Sequence, residues 1–346
     1  MNKPNSGAAG IEFRDVSFSY GRNPVLKQIS FKISPSRTTV LFGPSGAGKT
    51  TCLRLVAGFE QPQSGAVFID GREVASSTKS VPACERGVGF CFQEAALWAH
   101  LRVRDHVMVP LRSASLSKAE RERRVEEILK AFSLHELAGR YPEQLSGGER
   151  KRLEFARAAA SEPPILVLDE PLAGADEPRR HELMPYIRAC GGNGRTLVVV
   201  THHREEAFAL ADDLVVFNAG RILRSGRVEN VFRNPQSKQA AALLGYRTMV
   251  DATIKDEMIH TPYGEWPAPD GDAGDGFAGW TMDAIAVSAD GPLAGVVESC
   301  EFIGRGYRVT LRHDGLQLIG ASQCAASCGE TARFTITQAP VWISRP

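Results

Sequence analysis

The chain has 346 residues, 43% of them hydrophobic and 23% charged, with a formal net charge of +1. That length predicts two or three domains, and the apolar share is ample for globular cores. A charge so near zero argues against a broad nucleic-acid footprint. No apolar run approaches the roughly 18 residues that span a bilayer, and the polar start (1–10) lacks a secretory core. The seven cysteines are scattered and odd in number, which fits reduced thiols better than a disulfide framework. Cys324-x3-Cys328 is half a metal-binding pattern without a second pair, so both are expected to be packing cysteines.

In chain order, residues 11–20 alternate as a strand and end at the turn cluster Gly21-Arg22-Asn23-Pro24. Tyr20, at the end of that strand, is either an edge tyrosine or a ring placed to stack on a base. Residues 25–33 alternate again and lead into the dominant stretch. This is an apolar strand over 38–42, the turn Gly43-Pro44-Ser45-Gly46-Ala47-Gly48, then Lys49-Thr50-Thr51 opening a helix that closes at Gly58. The G-x-x-x-x-G-K-[ST] pattern is complete and sits in its required strand-turn-helix context. Glycines let the backbone curl around a phosphate chain, successive N–H groups form an anion nest, and the helix start adds its positive end. Lys49 would reach the β- and γ-phosphates, and the Thr50 hydroxyl would hold Mg2+.

Residues 66–70 predict another strand, with Asp70-Gly71 as a hairpin turn. After a strand over 87–92 comes Gln93, either a surface glutamine or a Mg2+ ligand that also touches an attacking water. The apolar loop 96–101 holds Leu97 and Trp98, as core or as a patch that a partner covers. A helix is expected over 117–132, from the capping box Ser117/Glu120 and the stripe Val125, Ile128, Leu129 and Phe132. Leu145-Ser146-Gly147-Gly148-Glu149 makes a second capping box. Its bare glycine N–H groups would also suit an anion, which need not be the phosphate held by the same chain. The helix behind it stops at Pro163-Pro164.

Residues 165–168 are wholly apolar and end in Asp169-Glu170, the pattern of a buried parallel strand with chemistry at its end. Asp169 would hold Mg2+, directly or through water, and Glu170 would orient and deprotonate a water. Ala173-Gly174-Ala175-Asp176 is a tight turn. A further buried strand over 196–201 ends in His202-His203, structural residues or γ-phosphate contacts; residues 214–217 add another strand.

In this order and spacing, the Gly43–Thr50 motif, Gln93, Leu145-Ser-Gly-Gly-Glu149, Leu168-Asp-Glu-Pro171 and Thr201-His202 resemble the ATP-binding subunit of an ABC transporter. The resemblance covers about residues 10–235. It implies an α/β P-loop NTPase with a helical subdomain inserted at about 94–160. Tyr20 matches the adenine-stacking position; Gly43 to Thr51, Ser146, Gly147, Gly148 and Asp176 match nucleotide contacts. Gln93, Glu170 and His202 match the catalytic set, and Thr50, Gln93 and Asp169 the Mg2+ site. The family further implies a head-to-tail homodimer around two ATP molecules, in which Ser146 to Gly148 of one chain close over the γ-phosphate of the other. It also implies a membrane permease docked near Leu97 and Trp98, a periplasmic solute-binding protein acting indirectly, and a peripheral place on the cytoplasmic face of the membrane. Three positions depart from the usual pattern: His203 stands where Asp is common, Ala173-Gly174-Ala175 where Ser-Ala-Leu is common, and Trp98-Ala99 where Phe-Pro is common.

Composition shifts after 235. Asn234-Pro235 and the stretch to Tyr246 read as a helix plus linker, the linker being placed at 236–250; 267–276 reads as a loop, and 293–300, 305–312 and 333–337 as short strands of a β-barrel or sandwich over 251–346. Gly295 to Gly304, Tyr307 to Leu311 and Asp314-Gly315 resemble the extra all-β (OB/TOBE-like) domain of bacterial importer ATPases. That likeness implies import and a regulatory role for the tail. The short tail and Arg150 favour a small inorganic ion as cargo, with a polyamine, sugar or other organic solute as the alternative. A soluble ABC ATPase of repair or ribosomal type is the competing class; no sustained heptads and a single P-loop weigh against it.

Overall fold

Strict alternation of apolar and polar residues builds the first sheet. The computed structural model describes residues 9–93, 96–112, 116–191, 194–269 and 273–345. Strands β1 (Ile11–Tyr20) and β2 (Asn23–Ile33) pair antiparallel. They turn Phe13 and Phe31 onto one another, stacked at 4.6 Å between ring centres. Next come β3 (Thr38–Phe42), α1 (Lys49–Ala57), β4 (Ser64–Ile69), β5 (Arg72–Ser76) and β6 (Val88–Cys91). The β4–β5 turn has Asp70 at φ 49° and Gly71 at φ 74°, the conformation that an Asp-Gly pair favours in a two-residue hairpin. Helices α2 (Val103–Leu111), α3 (Lys118–Ala131) and α4 (Gly147–Ala160) follow, and α2 packs on both others. Both expected capping boxes form, at Ser117 and at Ser146. The remaining elements of this unit are β7 (Ile165–Asp169), α5 (Glu177–Cys190), β8 (Thr196–Thr201), α6 (Arg204–Leu210), β9 (Asp213–Asn218) and β10 (Arg221–Arg227).

Two sheets result. One is antiparallel, in the order β2-β1-β4-β5; the other runs β10-β9-β3-β8-β7-β6. In the second sheet β9, β3, β8, β7 and β6 are parallel, and β10 is an antiparallel edge. Every residue of β7 and β8 is buried, as a strand covered on both faces requires. One core joins Phe13, Phe31 and Val67 of the first sheet to Leu53 and Val56 of α1 and to Val167, Val198 and Phe217 of the second.

Contacts divide the chain into two compact units, Met1–Val228 and Glu229–Pro346. A short helix, α7 (Val228–Arg233), begins at the division, and α8 (Lys238–Leu244) follows it. The second unit holds β11 (Tyr246–Lys255), β12 (Met258–Thr261), β13 (Gly264–Pro267), β14 (Gly274–Thr281), β15 (Ile285–Val287), β16 (Leu293–Phe302), β17 (Tyr307–His313), β18 (Leu316–Ser322), β19 (Thr331–Ile336) and β20 (Val341–Ser344). They form a five-stranded sheet, β13-β12-β11-β14-β20, and a closed barrel, β15-β18-β17-β16-β19. Trp280, Leu311 and Phe334 fill its core.

Three expectations are corrected here. The helix expected between 234 and 246 is present as α8, but the rest of 236–250 is not a linker: it carries the first half of β11, whose alternate residues Tyr246, Thr248 and Val250 are buried. The loop expected over 267–276 is flanked by strand at Pro267 and from Gly274 onward, and 270–272 lie outside the described residues. Cys324 and Cys328 are exposed rather than packed, because they sit in the irregular segment between β18 and β19. Among the described residues no helix is long and apolar enough to cross a membrane.

Candidate functional site

Four neighbouring parallel strands deliver the site. In the order β3, β8, β7, β6, their carboxyl ends carry the Gly43–Thr50 turn, His202, Glu170 and Gln93. Sequence separations of 77 residues between Gln93 and Glu170, and of 32 between Glu170 and His202, collapse to hydrogen-bond distance. Carboxyl ends of parallel strands are where such sheets place their chemistry.

The turn after β3 needs its glycines. Gly43 has φ 154°, and a Cβ there would come within 2.2 Å of the Phe217 carbonyl oxygen. Gly48 has φ 101°, with Leu26 Cδ2 at 2.6 Å from the same imagined atom. Pro44, Ser45 and Gly46 form the exposed lip, whereas Ala47, Gly48 and Lys49 are buried. The Lys49 ammonium donates to the Gly43 and Pro44 carbonyls, both at 2.8 Å. Burial pushes its pKa down; Glu170 and Asp169 work against that shift. Thr51 is buried in the first turn of α1.

Thr50 Oγ1 donates to Asp169 Oδ1 at 2.8 Å. Burial lifts the Asp169 carboxyl above its ordinary range, with the neighbouring Glu170 adding to the lift and Thr50 opposing it. Glu170 follows at φ 43°, an uncommon left-handed conformation for a non-glycine residue; its N–H donates to the Val200 carbonyl at 3.1 Å. Its two carboxylate oxygens are divided. Gln93 Nε2 donates to Oε2 at 3.3 Å, and His202 Nδ1 lies 3.2 Å from Oε1. Gln93, Glu170 and His202 therefore meet, beside the Thr50–Asp169 pair. Thr50 and Asp169 offer the hard oxygen donors that suit Mg2+, and the Gln93 amide would add a third.

Tyr20 ends β1 with 42% of its surface exposed. Its hydroxyl donates to Glu60 Oε1 at 3.1 Å and accepts from Arg54 Nη1 at 3.4 Å. The hydroxyl is thus braced by Arg54 of α1 and by Glu60 beyond it, and the ring packs edge-on with Phe18 at 4.8 Å between centres. Ser146 caps α4, its Oγ accepting from the Glu149 N–H. Gly147 and Gly148 face Arg179 and Glu182 of α5. No hydrogen bond among the described residues joins 146–148 to 43–50. Asp176 caps α5, accepting from the Arg179 N–H at 3.1 Å. Leu97 is half-buried and Trp98 is 42% exposed; residues 94 and 95, just ahead of them, lie outside the described residues.

Sequence reasoning missed what fastens the Gln93 segment to α4. Glu154 is fully buried and accepts from the Ala96 N–H at 2.9 Å. Lys151 pairs with Glu154 at 2.9 Å and donates to the carbonyls of Phe92 and Gln93. Arg157 bonds the Ala96 carbonyl and lies over the Trp98 ring. A lone glutamate on the apolar face between Leu153 and Phe155 was the available signal.

A complete phosphate-binding turn, an Asp-Glu strand end and a glycine-rich helix cap set apart from them define an ATPase of the ATP-binding-cassette class. Comparisons with known proteins agree. The ABC transporter family model matches residues 26–173. The chain is 39% identical over 254 residues to the sn-glycerol-3-phosphate import ATP-binding protein UgpC of Rhizobium johnstonii, covering 72% of this chain and 68% of that one. It is 33% identical over 314 residues to the Fe(3+) ions import ATP-binding protein FbpC of Escherichia coli K12, covering 89% of each. A sulfate/thiosulfate import ATP-binding protein of Agrobacterium fabrum is 40% identical over 254 residues, covering 72% of each. Among solved structures, the dimeric ATP-binding cassette MJ0796, in a post-hydrolysis state with ADP and Pi, matches with TM-score 0.55 and 28% identity, over 63% of this chain and 98% of that one. The chain belongs to the ABC transporter family, as an import-type ATP-binding subunit, and is a transport-coupled ATPase.

Proposed function

We propose that two copies of this chain close around two Mg-ATP molecules and drive import through a membrane permease. The observation that carries the reading is Glu170, which holds Gln93 and His202 on its two oxygens beside the Thr50–Asp169 pair. Tyr20 stacks on adenine. The N–H groups of 43–51 and the Lys49 ammonium hold the phosphates. Thr50, Asp169 and Gln93 hold Mg2+, which when bound neutralises phosphate charge. Glu170 takes a proton from the attacking water as its oxygen bonds the γ-phosphorus and ADP leaves; His202 steadies the γ-phosphate. Ser146, Gly147, Gly148 and Asp176 of the second copy complete the site. The permease docks near Leu97 and Trp98, which places the subunit on the cytoplasmic face of the membrane, and the second unit regulates.

The cargo we favour is a small inorganic ion, supported by the ferric-ion and sulfate/thiosulfate importers among the relatives. The sn-glycerol-3-phosphate relative supports the alternative, an organic solute. The mechanism is tested by Glu170→Gln, which removes the base and keeps the shape. Hydrolysis should fall by about 10²- to 10⁴-fold while ATP affinity persists, measured by phosphate release and by equilibrium nucleotide binding. Near wild-type turnover would exclude Glu170 as the base.

A further inference from the structure

Arg180 of α5 holds two separate elements. Its Nε donates to the Ala175 carbonyl at 3.1 Å, in the 173–176 turn, and its Nη2 lies 3.2 Å from His203 Nε2, in the loop after β8. A guanidinium can only donate, so His203 Nε2 is the acceptor and carries no proton. The corner is otherwise built for that arrangement. The His203 N–H donates to Thr201 Oγ1 at 3.1 Å, and Thr201 Oγ1 donates to Glu206 Oε2 at 2.5 Å. The other oxygen of buried Glu206 has no hydrogen-bond partner among the described residues and lies 3.5 Å from Arg180 Nε. On the far side, the rings of His203 and His202 are 4.2 Å apart between centres, and His202 meets Glu170. Contacts therefore run without a gap from Ala175 through Arg180, His203 and His202 to Glu170.

We propose that His203 is a positioning residue for hydrolysis. By accepting from Arg180 it ties the 173–176 turn to the loop that carries His202, and so fixes His202 against Glu170. The proposal rests on the reading of Glu170 and His202 given above. It carries a pH signature, because an imidazolium cannot accept and would face the Arg180 cation. The groups that face His203 are Arg180 from α5, Glu206 from α6, His202 beside it and Glu170 at the end of β7. Burial lowers the His203 pKa below its ordinary value; Arg180 and His202 lower it too, against Glu206 and Glu170. The accepting form therefore persists through neutrality and is lost on acidification.

The test is steady-state ATPase of the full chain across mildly acidic to neutral pH, for wild type, His203→Leu and His203→Gln. Leu removes the acceptor. A displacement of the order of 1 Å at a catalytic group costs roughly 10- to 100-fold, so kcat should fall in that range with KM for ATP unchanged. Gln offers an amide oxygen to Arg180 and should restore most of kcat. The ratio of wild-type to His203→Gln activity should be flat through neutrality and fall on acidification, since only the wild type loses its acceptor. If His203→Leu misfolds, the Gln profile alone decides. Wild-type kcat in His203→Leu, or an acid limb in His203→Gln that superposes on wild type, overturns the proposal. Glu170→Gln, run in parallel, separates the two failures: activity there sinks the reading of Glu170 and with it this proposal, whereas an inactive Glu170→Gln beside a fully active His203→Leu sinks only the role of His203.

Discussion

Burial of the Asp169 carboxyl costs stability. The carboxyl is 4% exposed, has one side-chain hydrogen bond, to Thr50, and is lifted in pKa by burial. Burial outweighs the attraction of the nearby Arg54 and Lys49 cations; a buried charge compensated only in part destabilises the fold that holds it, and sites with such groups are where activity and stability trade against each other. Asp169→Asn keeps the shape and an acceptor for Thr50 while removing the charge. In nucleotide- and metal-free protein it should raise the melting temperature by about 2–4 °C for each kcal/mol relieved, and in Mg-ATP it should abolish turnover. A lowered melting temperature in calorimetry would refute the account. At this scale the sequence was informative wherever the residue type and its place at a strand end sufficed: the positions of Lys49 and Thr50 behind the turn after β3, and of Asp169 and Glu170 at the end of β7, could be read directly. Gln93, His202 and Tyr20 each left two readings open, because a glutamine, histidine or tyrosine gains its meaning from what the sheet order sets beside it. Arg180 carried no signal at all; its partners Ala175 and His203 lie on different elements.

Elements with strong local patterns were legible, and those stabilised by tertiary contacts were not. The capping box and apolar stripe of α3 and the unbroken apolar runs of β7 and β8 read correctly. Helix α5 went unread, because it buries only Leu183, Ile187 and Cys190 and contains Pro185. β11 was passed over because its inward set mixes Thr248 and Ala252 with Val250 and Ile254, which blurs the period of two. Nor does a sequence reveal that Arg86, about thirty residues beyond α1 in the chain, donates to the Leu55 and Val56 carbonyls and so closes the end of α1. The link from α4 to the Gln93 segment belongs at this scale. Glu154→Ala would leave the Ala96 N–H without its acceptor and Lys151 without its carboxylate. Breaking a buried pair from one side costs about 3–5 kcal/mol. Lys151 keeps two carbonyl partners, so the low end, about 3 kcal/mol, is expected in urea unfolding, with Glu154→Gln costing clearly less because its amide oxygen still accepts from Ala96.

For the whole molecule, the decisive fact is that the glycine-rich turn at 43–48 and the glycine-rich helix cap at 146–148 share no hydrogen bond among the described residues. Gly147 and Gly148 lie against Arg179 and Glu182 of α5, and Ser146 bonds Glu149 of its own helix. Under the function proposed above, one chain presents two half-sites, and a two-fold pair would complete both. A net charge of +1 leaves little long-range repulsion between copies, so bound nucleotide can decide whether they associate. Ser146 lets the two roles of this segment be separated. As a helix cap it is worth about 1 kcal/mol, and α4 is otherwise held by its packing on α2 and α5. A large cation there should therefore leave the fold and ATP binding by the single chain nearly intact while obstructing closure. In a Glu170→Gln background, where hydrolysis cannot reopen the pair, Mg-ATP should convert the chain to a dimer in light scattering. Adding Ser146→Arg should hold it monomeric at the same nucleotide occupancy, and Ser146→Ala, which loses only the cap, should still dimerise. If Ser146→Arg dimerised as readily as its parent, the segment would be no more than a helix cap, and the second half of each site would have to come from elsewhere.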